Sequence, residues 1–112
     1  MNKINKLISC LNCCVQQYLY VEQFDIDENM FTQYTVEEIS NTLDNSCEVS
    51  GNVIYQLSTL SGEKIAKIEE ICEDGGIDDI DFIEIENFEL LNIIKENYLT
   101  IVFEMIKEKI LS

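Results

Sequence analysis

Three of the five cysteines stand close together near the start of the chain, where Cys10, Cys13 and Cys14 contain a C-x-x-C pair. A structural zinc site needs four ligands, and because the chain has no His, only Cys47 and Cys72 could complete one. The pair also falls inside a run of helical periodicity, where Cys usually behaves as a small buried hydrophobe. A redox role would need electropositive surroundings, and this composition supplies the reverse. We therefore expect free thiols, with no metal and no cofactor.

Carboxylates are the other groups that could do chemistry. Residues 73–84 are rich in oxygen ligands, but a calcium-binding helix–loop–helix needs Gly at its sixth position and Glu at its twelfth, and neither Gly75 nor Gly76 gives that register. General acid–base catalysis needs a pocket and one perturbed carboxyl, and no local sequence marks one out. The sequence contains no phosphate-binding loop, nucleophile elbow or metalloprotease motif. We expect the protein not to be an enzyme.

The charge balance argues against two classes of partner. Twenty-two Asp and Glu face seven Lys, there is no Arg or His, and the formal net charge is −15. A nucleic-acid binder needs Lys or Arg against phosphates, and an anionic membrane surface would repel this chain. The acids concentrate in residues 21–50 and 73–89, each of which holds eight acids and no base. Such blocks repel themselves, so they indicate either a function that uses charge or a merely solvated acidic surface.

Imitation of DNA is the function that this charge favours. Duplex DNA carries one negative charge per about 1.7 Å of axis, so the carboxylates equal the phosphates of roughly 11 base pairs. The predicted partner is a basic DNA-binding protein, such as a restriction–modification or other defence enzyme. The aromatic residues Phe24, Phe31 and Tyr34 belong either to the core or to the same binding surface. The acids predicted to bind the partner are Glu22, Asp25, Asp27, Glu28, Glu37, Glu38, Asp44, Glu48, Asp74, Asp78, Asp79, Asp81, Glu84 and Glu86.

Helical spacing dominates the apolar pattern in the first half of the chain. It predicts an amphipathic helix over residues 3–20, then an acidic loop over 22–34. Thr35 and Glu38 match a capping box, in which a hydroxyl and a carboxylate satisfy backbone donors at the start of a helix. A second helix is therefore expected over residues 36–47.

Three further helices follow from the same reasoning. Apolar residues within 53–60 predict a short helix, and Ser61 is expected to cap another that reaches Cys72 and stops at Gly75-Gly76. Residues 80–86 partly alternate, which suits a short strand or hairpin, and a long amphipathic helix runs from Asn87 nearly to Ser112. The predicted fold is mainly α, with about five helices in a single domain over residues 1–112.

Compartment and assembly are also constrained. No signal peptide is recognisable, and the longest uncharged run, residues 7–21, is polar in part and too short to span a bilayer. Together with the odd number of cysteines, this favours the reducing cytoplasm. Apolar surface on the expected helices at 53–72 and on the last helix exceeds what a small core requires, which predicts a homodimer.

One stretch resembles a known family. Residues 35–47 combine Glu37-Glu38-Ile39 with Asp44-Asn45-Ser46-Cys47, and Ile54-Tyr55 follows. This arrangement resembles the central segment of the Ocr and ArdA family of DNA-mimic antirestriction proteins, in which an acidic capped helix precedes a helix that starts at an apolar–aromatic pair. Size and acidity are similar too, although Glu48 stands where the family often has Pro. The resemblance implies a dimer that fills the DNA groove of a type I restriction–modification enzyme.

Three other functions fit the same sequence. An acidic immunity protein would use the same electrostatics to neutralise one basic nuclease toxin. An inhibitor of uracil-DNA glycosylase would also imitate DNA with acids. A plain regulatory or structural helical module would need no charged partner at all. A mimic is expected to inhibit several DNA-binding enzymes, whereas an immunity protein inhibits only its cognate toxin.

Overall fold

The computed structural model of the protein describes residues 2–19, 26–43, 50–74 and 76–111, apart from the side chains of residues 15–19 and 78. Two helices and a sheet build the fold. The four strands form one antiparallel sheet in chain order, and both helices pack on the same side of it. The elements are α1 (Ile4–Leu19), a short 3₁₀ helix (Glu28–Phe31), β1 (Tyr34–Asn41), β2 (Gly51–Thr59), β3 (Lys64–Glu73), β4 (Gly76–Ile85) and α2 (Phe88–Leu111).

The prediction of a mainly helical fold with about five helices is wrong, because the centre of the chain forms a sheet. The expected helix over 36–47 is strand β1 as far as Asn41, and residues 44–49 lie outside the described part. The expected helices over 53–60 and 61–72 are strands β2 and β3. The first and last predicted helices are confirmed as α1 and α2, and the short strand expected near 80–86 is the second half of β4.

Alternate burial explains why these segments are strands. In a strand, successive side chains point to opposite faces, so one apolar residue in every two is enough to build a core. Val36, Leu57 and Ala66 are paired across β1, β2 and β3, and all three are fully buried under the helices. Buried residues from both helices, the 3₁₀ helix and all four strands form one continuous core.

The capping signals at Thr35 and Ser61 have other roles here. Thr35 lies in β1 and pairs with Ser58 of β2, so no helix begins there. Ser61 lies in the β2–β3 hairpin, where its hydroxyl contacts that of Thr59 at 2.8 Å. The Thr59 hydroxyl in turn accepts a hydrogen bond from the Glu63 backbone N–H at 3.1 Å, which closes the turn. Polar residues that can cap helices also stabilise turns, and the tertiary pairing decides between the two.

A buried ion pair joins α1 to the centre of the sheet. The Lys6 ammonium lies 2.6 Å from a carboxylate oxygen of Glu70, whose side chain is only 6% exposed. The same ammonium lies over the Tyr55 ring, 5.9 Å from its centroid. The Tyr55 hydroxyl is 3.5 Å from the second Glu70 oxygen. Glu70 is thus a charged group on the covered face of β3 that α1 must neutralise.

Asn87 starts α2 by accepting a hydrogen bond from the Leu90 backbone N–H at 3.0 Å. Its own backbone N–H donates to the Ile65 carbonyl at 2.9 Å, which fixes the helix start to β3. No helix among the described residues is both long and apolar enough to cross a membrane.

Replacement of Gly51 by Ala is expected to destabilise the fold much more than replacement of Gly62. Both glycines have a positive φ, 135° and 95°, but a Cβ on Gly51 would lie 2.5 Å from the Thr42 carbonyl oxygen, while one on Gly62 meets nothing. Gly62→Ala should cost only the conformational strain of about 1–2 kcal/mol. Urea unfolding of both variants measures the difference, and equal losses would contradict the close approach at Gly51.

Removal of one partner of the Lys6–Glu70 pair is expected to be far more damaging than removal of both. Lys6→Met leaves a buried carboxylate without its counter-ion and should cost about 3 kcal/mol or more. Lys6→Met combined with Glu70→Leu should lie within about 1 kcal/mol of the wild-type protein, because no charge is left buried. The double-mutant cycle is read from the free energy of unfolding, and additive losses would argue against a coupled pair.

Candidate acidic binding face

The side of the sheet opposite the helices is not covered by any described element. Antiparallel sheets commonly pack one face on the core and leave the other to solvent. Strand register and the alternation of side chains define this surface, which we name the open face. Its residues are Glu37, Ser40, Asn52, Ile54, Gln56, Lys67, Glu69, Ile71, Asp79, Asp81 and Glu84.

Acids follow the two outer strands of the open face. Asp79 and Asp81 occupy alternate positions of β4, and a strand places such residues about 6.8 Å apart. Glu37 lies on β1, three strand spacings away, or about 14 Å. All three are exposed and form no ion pair with any residue that the structure describes. Their charge is therefore available to an incoming partner.

Glu84 and Glu86 were predicted to bind the partner, but both have a local counter-charge. The Lys67 ammonium lies 3.0 Å from a Glu84 oxygen and 3.6 Å from a Glu86 oxygen. The Gln56 amide also donates to Glu86 at 2.7 Å. These contacts reduce the negative potential at that end of the open face, so we assign Glu84 and Glu86 a smaller part in binding.

The sequence analysis missed the centre of the open face. Ile54 and Ile71 are half-buried there although no described element covers them. Beside them, Glu69 accepts a hydrogen bond from the Asn52 amide at 2.9 Å. The alternation of β3 would have placed Glu69 and Ile71 on the same face, but that signal is only visible once the segment is recognised as a strand.

The remaining predicted acids do not gather on the open face. Asp27 caps the 3₁₀ helix by accepting from the Asn29 backbone N–H at 3.0 Å, and because this helix contacts α1, Asp27 and Glu28 lie on the helical side. Glu38 faces that side too, beside Tyr55. Burial, followed by the charges of Glu70 and Glu38, raises the pKa of Tyr55 to about 12.

Asp74 lies at the β3–β4 turn with a φ of 54°, a left-handed conformation that Asp adopts more readily than most residues. Of the rest, Asp78 belongs to β4, but its side chain is outside the described part. Four more predicted acids lie outside the described residues altogether, namely Glu22, Asp25, Asp44 and Glu48. The fourteen predicted acids are thus not one continuous surface.

The chain matches no protein-family model, no curated protein and no solved structure. The segment that resembles the Ocr and ArdA proteins is also not helical: Glu37-Glu38-Ile39 lies in β1 and Ile54-Tyr55 in β2. The two helices that the resemblance implies there are therefore replaced by the strands described above. Function is argued below from the open face itself.

Three of the described thiols, Cys10, Cys13 and Cys14, lie on α1, whereas Cys72 lies in β3, where its Sγ is 3.9 Å from a Glu70 oxygen. All four are free, while Cys47 is outside the described residues. The described residues include no group of three or more His, Cys, Asp or Glu arranged to hold a metal ion.

Cys14 differs from the other described cysteines in its pKa. A hydrogen bond with Cys10, helped by the Lys95 ammonium, lowers the pKa of Cys14 to about 7, although burial and Asp81 oppose this. The same hydrogen bond and burial raise the pKa of Cys10, and burial raises that of Cys13. Cys14 is therefore the described thiol that carries charge near neutral pH.

Alkylation of Cys14 is expected to rise with pH around a midpoint near 7. Because this pKa lies below the ordinary 9.0, the thiolate contributes stability above pH 9 that is lost as pH falls through about 7. Cys10→Ala removes the main cause and should move the midpoint up, while Lys95→Gln should move it less. Iodoacetamide labelling with peptide mass spectrometry measures both, and a midpoint unchanged by Cys10→Ala would refute the assignment.

Proposed function

We propose that the protein is a DNA-mimicking inhibitor that occupies the basic DNA-binding groove of a DNA-handling defence enzyme, such as a type I restriction–modification enzyme. In this proposal it is a binding protein rather than an enzyme, and it acts in the cytoplasm. The observation that supports it most is a set of exposed acids that form no ion pair with any described residue. They lie on the open face and at its end, namely Glu37, Asp74, Asp79 and Asp81.

The spacing of these acids supports imitation of a nucleic acid. Alternate residues of a strand recur every 6.8 Å or so, about twice the 3.4 Å that separates successive charges of one DNA strand along the axis. The two outer strands lie about 14 Å apart, comparable with the roughly 12 Å width of the major groove. Asp79 and Asp81 on one outer strand and Glu37 on the other can face basic side chains that normally contact the two DNA strands.

A second candidate is an immunity-type inhibitor of one basic nuclease, and Ile54 with Ile71 favours it. An apolar centre surrounded by charged residues is the usual anatomy of a specific protein interface. A basic groove that accepts any DNA sequence offers little for two isoleucines to contact. Titration against a type I restriction enzyme, an unrelated basic nuclease and a uracil-DNA glycosylase distinguishes the candidates. Inhibition of several supports mimicry, and inhibition of one supports the immunity role.

Neutralisation of the open-face acids is expected to weaken binding selectively. The quartet variant Glu37→Gln, Asp74→Asn, Asp79→Asn and Asp81→Asn should lower the affinity for an inhibited enzyme by roughly 10- to 100-fold, mainly through slower association. Single substitutions such as Asp79→Asn should have little effect. Stability should be retained or improved, because self-repulsion falls. Surface plasmon resonance and thermal unfolding measure these effects.

The matched control removes the same number of charges elsewhere. The exposed acids of α2 allow Glu89→Gln, Glu96→Gln, Glu104→Gln and Glu108→Gln, which change the net charge equally. This variant should bind within about threefold of the wild-type protein, since only the distant field is altered. Equal losses in both quartets would contradict a role for the open face. Ile54→Ala and Ile71→Ala should matter only in the immunity-type interface.

A further inference from the structure

Helix α2 carries two apolar stripes, and only one of them is fully buried in the core. Its buried side chains are Leu91, Ile94, Tyr98 and Val102, spaced three or four residues apart. Between Phe103 and Leu111 no side chain is fully buried, and those from Lys107 to Leu111 are all exposed. The helix therefore continues for more than two turns after Val102, its last fully buried residue.

The second stripe consists of Leu99, Phe103, Ile106 and Ile110, which recur at intervals of four, three and four residues. This is the spacing of residues that form the seam between two packed helices. Phe103 is 54% exposed and Ile110 is 76% exposed, while Leu99 and Ile106 are half-buried because they also pack against the core. Exposed apolar stripes of this kind on a folded domain usually mark an interface.

Charge limits where a second copy could approach. Two molecules that each carry −15 repel one another, most of all through the two acidic blocks. Residues 90–112 hold three Lys and three Glu, so this segment is neutral overall. The second stripe of α2 thus combines exposed apolar surface with balanced charge. Residues 53–72 were expected to add apolar surface to the dimer interface. They do not form the expected helices, and their main apolar residues are buried in β2 and β3.

We propose that the chain forms a homodimer through the second stripe of α2, with the two copies of the helix antiparallel. A two-fold axis between Phe103 and Ile106 would pack Phe103 on Ile106 of the partner subunit and Leu99 on Ile110 of the partner subunit. The antiparallel arrangement keeps the two sheets, which carry the acidic open faces, at opposite ends of the helix pair. Because the seam is short, the dimer is expected to dissociate in the micromolar range.

Sedimentation equilibrium from micromolar to near-millimolar concentration tests the proposal. The wild-type protein should dimerise, and Phe103→Glu or Ile110→Glu should weaken dimerisation at least tenfold (about 1.4 kcal/mol). Phe103→Ala, which leaves the charge unchanged, should also weaken it. The matched control is Leu60→Glu, since Leu60 is 67% exposed in the β2–β3 hairpin and the same charge is added. This control should dimerise nearly as well as the wild-type protein.

Salt separates this proposal from the proposed function. Added salt screens the repulsion between two acidic bodies, so the dimer should become tighter, whereas binding to a basic partner should become weaker. Circular dichroism and thermal unfolding establish that each variant is folded. A wild-type protein that stays monomeric throughout, or a folded Phe103→Glu variant that dimerises as well as Leu60→Glu, would overturn the proposal and leave inhibition unaffected.

Discussion

The ion pair between Lys6 and Glu70 allows the apolar face of β3 to be covered. Glu70 and Ile71 are neighbours, so a shift of the strand by one residue would exchange them between the core and the open face. The same shift would expose Ala66 and Ile68 and bury Lys67 and Glu69, so apolar burial favours the observed register and brings Glu70 inside with it. The buried carboxylate lies 2.6 Å from the Lys6 ammonium of α1. Without Lys6, this register would leave an unpaired charge in the core, which costs several kcal/mol. The pair thus permits this choice of register by offsetting the cost of the buried carboxylate.

The composition of the open face follows from that choice. With Glu70 inside, Ile71 and Glu69 are placed outside, and Ile54 lies next to Glu69 through the β2–β3 pairing. The acids of β4 complete the same face because Asp79 and Asp81 pair with Ile71 and Glu69. The surface that carries the proposed function is therefore a consequence of the strand register. Most of the apolar area is on the other side of the sheet, together with the predicted acids Asp27, Glu28 and Glu38.

The terminal helices could be predicted from the sequence, but of the sheet only the second half of β4 was predicted, for reasons visible in single residues. Both α1 and α2 are long enough for helical periodicity to outweigh local irregularities. In β3, an extra residue at Ile65 interrupts the pairing with β2, so the inward positions Ile65, Ile68 and Cys72 fall three and four apart as in a helix. In β2, the alternation of Val53, Tyr55 and Leu57 was a correct strand signal, and Ser61-Gly62 was a correct turn signal. For the candidate site, the abundance of acids was predictable. Which acids lie on which side of the sheet was not, because that depends on strand register.

The edges of the sheet indicate how a partner can and cannot dock. An exposed edge strand invites pairing with another chain, and proteins prevent this with charges, irregularities or a covering segment. At β1, the Val36 backbone N–H donates to the Asn2 side-chain oxygen, and the Lys3 backbone N–H donates to the Val36 carbonyl. At β4, exposed acids and two irregularities in the pairing with β3 serve the same end. Strand addition is therefore disfavoured at both edges, which leaves the open face for the proposed partner. Because α2 lies on the opposite side of the sheet, its second stripe can hold another copy while the open face stays accessible. The proposed dimer would then present two acidic faces in one assembly without covering either of them.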